Sequence, residues 1–218
     1  MNMARVDTHI VTIAKAPLPG RVKTRLCPPC TPGEAASLAR AALLDTLDAA
    51  ASTPATSHLL ALDGPRGDWV PAGWRVCAQR GAGLDERLAA AFADAAGPAL
   101  LIGMDTPQVT PALLAGAMEQ LGSPGVDAVL GPAMDGGYWA IGLRRPAAQV
   151  FLGVPMSHPS TAEHQLRRLA DLGLRCRLLE TLRDVDRMPD AYAVARVAPH
   201  SRFARALAEI APAPPAGP

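Results

Sequence analysis

The chain has 218 residues, 49% of them hydrophobic and 19% charged, with a formal net charge of +1; this suits one self-folding globular unit and excludes a disordered or fibrous chain. Acidic and basic residues are mixed along the sequence, leaving no broad basic face for the phosphate contacts that dominate nucleic-acid binding. No stretch approaches the ~18 uninterrupted apolar residues a membrane span requires, and Met1 to Asp7 lack an apolar signal segment, so the expectation is a cytoplasmic protein without nucleic acid or membrane as partner.

In chain order, His9 to Ala14 is a short β-branched run that predicts a strand ending at Lys15, where Pro17, Pro19 and Gly20 break it. A long loop follows. Thr31, Pro32, Gly33 and Glu34 then spell a capping box with proline at the first helical position, starting a helix whose apolar residues run through Leu47. Strands are expected at Ser57 to Leu62, Trp74 to Ala78, Ala99 to Met104 and Asp127 to Gly131, with helices at Leu84 to Ala96 and Thr110 to Leu121. Tyr138 to Leu143 reads as a further strand. Ser160, with Glu163 three residues on, predicts a capped helix to about Leu172, and Arg175 to Leu179 a last strand.

Two short helices are expected after Asp186, and the proline-rich tail 211–218 is expected to be disordered. The alternation indicates α/β architecture with a mostly parallel sheet. No long linker divides the chain, so residues 1–210 are expected to form one domain, with Ala133 to Ser160 as a substrate lobe. The helix around Ala35 to Ala50 carries few charges, which leaves room for a homodimer contact.

The segment Lys15-Ala16-Pro17-Leu18-Pro19-Gly20-Arg21-Val22-Lys23-Thr24-Arg25-Leu26 sets four cations on one proline-stiffened loop. Lys15 and Lys23 are the only lysines in a sequence that otherwise uses arginine. Lysine meets phosphate as a compact point charge and arginine as a planar fork, so the cluster points to a polyphosphate. Gly20 would let the backbone turn toward phosphate oxygens, although the Walker A spacing is absent.

Asp105 ends the apolar strand Leu100 to Met104 and is followed by Thr106 and Pro107. Ligands of open α/β sheets bind outside the carboxyl ends of strands, where such a carboxylate could hold a hard cation; a turn or N-cap role fits the same residue. Asp135-Gly136-Gly137, followed by Tyr138 and Trp139, joins an acid to two glycines, and is equally an ordinary hairpin turn. In Asp184-Val185-Asp186 the two carboxylates share one face if the segment is extended. Cys27-Pro28-Pro29-Cys30 has the C-x-x-C spacing but lacks the second pair of ligands a zinc site needs. His158 and His164 match no local metal spacing; His158 is a candidate acceptor contact on a loop, and His164 is expected on an exposed helix face.

These segments, in this order from Ile10 to about Tyr192, resemble a bacterial GT-A-fold family described as arsenosugar-biosynthesis glycosyltransferases or radical-SAM/selenodomain-associated transferases. They are more distantly similar to the 2-phospho-lactate guanylyltransferases and the molybdenum-cofactor nucleotidyltransferases. The resemblance implies a nucleotide-diphospho-sugar transferase architecture, a Rossmann-like three-layer sandwich. It implies nucleotide contacts at Ala14, Pro19, Gly20, Arg21, Lys23, Thr24 and Gly103, and Mg²⁺ or Mn²⁺ on Asp105 and Asp186. Asp135 would face the acceptor. Where such proteins carry Trp-Ser-Thr this chain has Met156-Ser157-His158, and Arg187 follows Asp186 in place of threonine.

Two enzymatic readings follow. In nucleotidyl transfer, a small phosphorylated or oxyanion acceptor attacks the α-phosphate of a nucleoside triphosphate, and Lys15, Lys23 and Arg25 steady the leaving pyrophosphate. In glycosyl transfer, a nucleotide-diphospho-sugar is the donor and Asp135 activates an acceptor hydroxyl. The single strand-end carboxylate, Asp105, leans the expectation toward the first. A third reading is a nucleotide-binding protein without catalysis.

Overall fold

The computed structural model describes residues 7–210. The proline-rich tail lies outside the described residues. The elements follow the expected order: β1 (His9–Lys15), α1 (Pro32–Ala51), β2 (His58–Asp63), β3 (Arg75–Ala78), α2 (Leu84–Ala95), β4 (Ala99–Gly103), α3 (Pro111–Gly122), β5 (Ala128–Pro132), β6 (Tyr138–Leu143), α4 (Thr161–Asp171), β7 (Cys176–Leu178), α5 (Met188–Val197) and α6 (Arg202–Ile210).

The seven strands form one sheet in the order β3-β2-β1-β4-β6-β5-β7. All neighbouring pairs are parallel except those made by β6, which runs antiparallel to both β4 and β5. The stretch from Ala133 to Ser160 is therefore not a lobe laid on the sheet, since its central strand sits inside the sheet.

Three layers result. One face of the sheet, through Ile10, Leu60, Leu100 and Ile102, packs on Leu43 and Leu47 of α1 and Leu114 and Leu121 of α3. The other, through Val11, Leu59 and Leu101, packs on Leu88 and Phe92 of α2 and Leu169 of α4. Burial on both faces explains why these strands read as continuous apolar runs rather than alternating ones. Helices α5 and α6 cover the outer side of α1, where Leu38, Ala41 and Ala42 meet Val194, Phe203 and Leu207. The apolar surface of α1 that left room for a dimer contact is thus buried within the chain.

The capping box forms as read: the Thr31 hydroxyl accepts from the Glu34 amide, and the Glu34 carboxylate accepts from the Thr31 amide at 2.7 Å. The cap expected at Ser160 does not form. Its side chain makes no capping bond, and the neighbouring Thr161 hydroxyl organises that turn instead. No helix among the described residues is long and apolar enough to cross a membrane.

Candidate active site

After β1 the chain continues to β2 on one side of the sheet, and after β3 it crosses to β4 on the other. This reversal opens a crevice at the carboxyl ends of β1 and β4, the place where open α/β sheets bind ligands. The crevice here is a cleft of about 870 Å³ that gathers Ala14, Lys15, Arg21, Lys23, Thr24, Arg25, Gly103, Asp105, Asp135 and Asp186. Of the residues singled out in the sequence, Pro19 and Gly20 do not line it. They form the bend that aims the loop: the Arg21 amide donates to the Leu18 carbonyl at 3.1 Å, with Gly20 at φ +74, as a type II turn with proline before glycine requires.

The loop is anchored at both ends. The Ala16 amide donates to the Asp63 carbonyl at 2.8 Å, while Val22 and Leu26 are buried in the core. Lys23 adopts a left-handed backbone, φ 49, and a single turn of 3-10 helix at Thr24–Leu26 follows it. This geometry turns the Lys23 side chain inward, where it is only 7% exposed. A buried ammonium requires a partner. Its Nζ lies 2.6 Å from Asp105 Oδ1 and also donates to the Val185 carbonyl.

The segment 179–187 reaches the cleft along the ends of β5 and β6. The Leu182 amide donates to the Pro132 carbonyl, Gln108 Nε2 to the Arg183 carbonyl at 2.5 Å, and the Val185 amide to the Asp105 carbonyl at 2.9 Å. Val185 is fully buried, which leaves Asp184 and Asp186 flanking it at the cleft. Asp186 pairs with Arg25. Two loop cations are thus neutralised by the two carboxylates expected at a metal, whereas Lys15 and Arg21 have no acidic partner within 4.0 Å among the described residues. Burial, reinforced by the negative charges of Asp135 and Asp186, pushes the Asp184 carboxyl up to about 6.

Among the described residues, no group of three or more histidine, cysteine, aspartate or glutamate side chains is arranged to hold a metal. Mg²⁺ needs fewer, since it commonly takes one or two protein carboxylates and completes its shell with phosphate oxygens and water. Asp105 and Asp186, both lining the cleft, are carboxylates of the kind such an ion takes. The Thr106 hydroxyl, buried immediately after Asp105 and lining the cleft, has no hydrogen-bond partner among the described residues. The residues present fit a divalent ion bound together with phosphate.

Asp135 sits in the hairpin between β5 and β6, where its Oδ1 accepts from the Gly137 amide at 2.7 Å. The turn reading of Asp-Gly-Gly therefore holds, and the same turn lines the cleft. Two lining residues, Gln79 and Arg87, carried no readable signal, whereas Tyr138 stood in the Asp-Gly-Gly segment already singled out. Gln79 donates to the Ala14 and Ala61 carbonyls at 2.8 and 3.0 Å, tying the end of β3 to those of β1 and β2. Arg87 of α2 pairs with Asp63 at 3.1 Å, and Tyr138 donates to Gln165 at 3.3 Å. Only the fold brings Gln79 and Arg87 to the cleft. Cys27 and Cys30 are free thiols; Cys30 is buried in the cluster under α5 and α6, and burial raises its pKa. His164 is half-buried rather than on an exposed face, with its ring 6.0 Å from that of His158.

Residues 39–158 match the sequence pattern of a family described as "Uncharacterized protein conserved in bacteria (DUF2064)". The chain belongs to the DUF2064 family. That match runs from within α1 to the loop before α4, covering β2 to β6, and so includes Asp105 and the Asp135 turn but not β1, the cationic loop or β7. No curated protein matches this DUF2064 chain.

Among solved structures, it is similar to a protein of Desulfovibrio desulfuricans G20 assigned as a nucleotide-diphospho-sugar transferase, with a TM-score of 0.85 and 27% identity over 94% of this chain and 95% of that one. CMP:2-keto-3-deoxy-manno-octonic acid synthetase complexed with CTP is similar with a TM-score of 0.60 and 15% identity, over 88% and 98% of the two chains. Rv0371c of Mycobacterium tuberculosis H37Rv, in complex with manganese, has a TM-score of 0.54 and 21% identity, over 88% and 100%. The last two share the fold with this DUF2064 protein, which is the GT-A-like, Rossmann-like fold of nucleotide-diphospho-sugar transferases.

Proposed function

We propose that residues 1–210 act as one metal-assisted transferase that takes a nucleotide donor, and that its reaction is nucleotidyl transfer from a nucleoside triphosphate. The observation that supports this best is the charge arrangement of the cleft. Lys15 and Arg21 have no acidic partner among the described residues and stand beside the Lys23–Asp105 and Arg25–Asp186 pairs, all at the switch point of the sheet. Four cations exceed what a monophosphate needs and suit a departing pyrophosphate.

Lys15 and Arg21 receive the triphosphate, and Lys23 and Arg25 turn part of their charge from Asp105 and Asp186 toward it. A divalent ion on Asp105 and Asp186 would supply further stabilisation of charge on the phosphate oxygens. An acceptor oxygen then attacks the α-phosphorus in line. The new bond to phosphorus forms as the bond to the β-phosphate oxygen breaks, the acceptor proton passes to Asp135, and pyrophosphate leaves against the cationic loop. Lys15, Lys23, Arg25 and Asp135 are the catalytic residues of this reading.

Glycosyl transfer stands as the second reading, favoured by the likeness to the D. desulfuricans protein. The same loop would then steady a departing nucleoside diphosphate. A turnover assay with Mg²⁺ or Mn²⁺, each nucleoside triphosphate and a set of nucleotide sugars separates the two. Pyrophosphate release from a triphosphate is the expected result; release of a nucleoside diphosphate from a nucleotide sugar would replace it with glycosyl transfer. Nucleotide binding without either release would leave a non-catalytic binding protein.

A further inference from the structure

The cleft wall facing the cationic loop is built from two segments, the Asp135-Gly136-Gly137 turn and residues 154–160 ahead of α4. They are locked together. The Ala162 amide donates to the Gly136 carbonyl at 2.9 Å, and a Cβ on Gly136 would stand 1.7 Å from the Pro159 carbonyl oxygen. Only glycine, here at φ +89, permits this contact. Asp135 and His158 each immediately precede one member of the touching pair, and both line the cleft.

The His158 loop is itself tightly specified. Ser157 takes a left-handed backbone, φ 56, which few non-glycine residues adopt. The Thr161 hydroxyl accepts from the His158 amide at 3.1 Å and lies within donating distance of the Pro155 and His158 carbonyls, at 3.1 and 2.8 Å. His158 Nδ1 accepts from the Ser160 amide at 3.2 Å. An imidazole nitrogen that accepts an N–H bears no proton of its own, so the neutral ring carries its proton on Nε2. That N–H has no protein partner among the described residues, and His158 lines the cleft.

We propose that His158 is the specificity-determining residue for the acceptor, and that the acceptor is an uncharged hydroxyl compound of the sugar or polyol class, its reacting hydroxyl held between the His158 imidazole N–H and the Asp135 carboxylate. The proposal rests on the transferase reading given above. A hydroxyl donates and accepts at once, and so satisfies both groups. A phosphate or carboxylate would accept from the imidazole but meet Asp135, which forms no salt bridge among the described residues, while in the reading above the cations Lys15, Arg21, Lys23 and Arg25 are taken up by the triphosphate. The proposal thus takes a neutral acceptor where the sequence led to the expectation of a phosphorylated or oxyanion one. In the transfer the hydroxyl oxygen bonds to the α-phosphorus, its proton moves to Asp135, and the bond to pyrophosphate breaks. His158 keeps its Nε2 proton throughout.

The test combines donor binding, acceptor preference and two variants. Thermal shift with Mg²⁺ and each nucleoside triphosphate or nucleotide sugar first identifies the donor for the native protein. With that donor, turnover is measured for glycerol, myo-inositol and glucose against sn-glycerol 3-phosphate and glucose 1-phosphate. The expected result is at least a tenfold higher kcat/KM for the uncharged compounds. His158→Leu is expected to raise the acceptor KM at least tenfold while leaving the donor-induced thermal shift unchanged, and His158→Gln, which keeps an N–H donor, to recover most of the loss. Preference for the phosphorylated compounds, an unaltered acceptor KM in His158→Leu, or nucleotide binding with no turnover of any hydroxyl compound would overturn the proposal. Absence of any nucleotide-induced shift in the native protein would overturn the transferase reading beneath it.

Discussion

The two walls of the cleft are held by opposite means. On the hairpin side, Gly136, Pro159, Thr161 and Ala162 are joined by backbone contacts and hydrogen bonds, and Asp135 and the His158 N–H have no charged partner among the described residues. On the loop side the backbone is equally fixed, by the Leu18 to Arg21 turn and buried Val22 and Leu26, but the functional ends of Lys23 and Arg25 are tied to Asp105 and Asp186. One wall is preassembled, whereas the other holds its charges in exchangeable pairs. In the proposed function this couples phosphate to metal, because an anion that draws Lys23 away frees Asp105.

The largest effect that would sharpen this contrast is expected from Asp105→Ala. It removes a proposed metal carboxylate and strips the buried Lys23 ammonium of its partner. Loss of a preorganised group that stabilises transition-state charge commonly costs ~10²–10³ in kcat, and a loss of that order is expected in the turnover assay. Lys23→Met comes next. Triphosphate affinity should fall about tenfold, in line with the ~1.5–3 kcal/mol of a charged hydrogen bond, while mononucleotide affinity changes little. The same variant should bind Mn²⁺ more tightly than the native protein when nucleotide is absent, which electron paramagnetic resonance can read. Unchanged Mn²⁺ affinity would break the exchange picture.

The preassembled wall is probed by Gly136→Ala. A residue forced to φ +89 with its Cβ against the Pro159 carbonyl should cost about 1–3 kcal/mol of stability, seen as a lower denaturation midpoint. A smaller effect concerns Asp184, whose folded pKa of about 6 lies above its ordinary value of 3.8. The unfolded chain therefore releases this proton at lower pH than the folded one, so the group lowers stability as pH rises from about 4 through 6. Asp184→Asn should raise the Tm at pH 7.5, with the gain vanishing near pH 4; a gain independent of pH would assign it to packing instead.

Much of the fold was legible because its signals are local. The β-branched run of β1, the Thr31–Glu34 capping box and the apolar strand ending at Asp105 each declare themselves within a few residues. The antiparallel insertion of β6 between β4 and β5 was not legible, since a strand buried on both faces carries the same apolar run whichever neighbours it takes. The covering of α1 by α5 and α6 was hidden for the same reason.

At the site, Lys15, Lys23 and Asp105 stood out by residue type and place. The pairing of Lys23 with Asp105 did not, because it depends on the left-handed turn at Lys23 and on the approach of Val185 from 162 residues away. Gln79 and Arg87 come to the cleft from the end of β3 and from α2, with no sequence feature to mark them.

The coupling of nucleotide phosphate and divalent cation at the Lys23–Asp105 pair is the centre of the account, and thermal stability measured with Mn²⁺, with nucleoside triphosphate, and with both tests it most directly. A ligand present at a hundredfold excess over its Kd adds about 2.7 kcal/mol of apparent stability. The predicted result is a joint shift that exceeds the sum of the separate ones in the native protein and disappears in Asp105→Ala. Equal joint shifts in the two proteins, or no shift with any nucleotide, would contradict it.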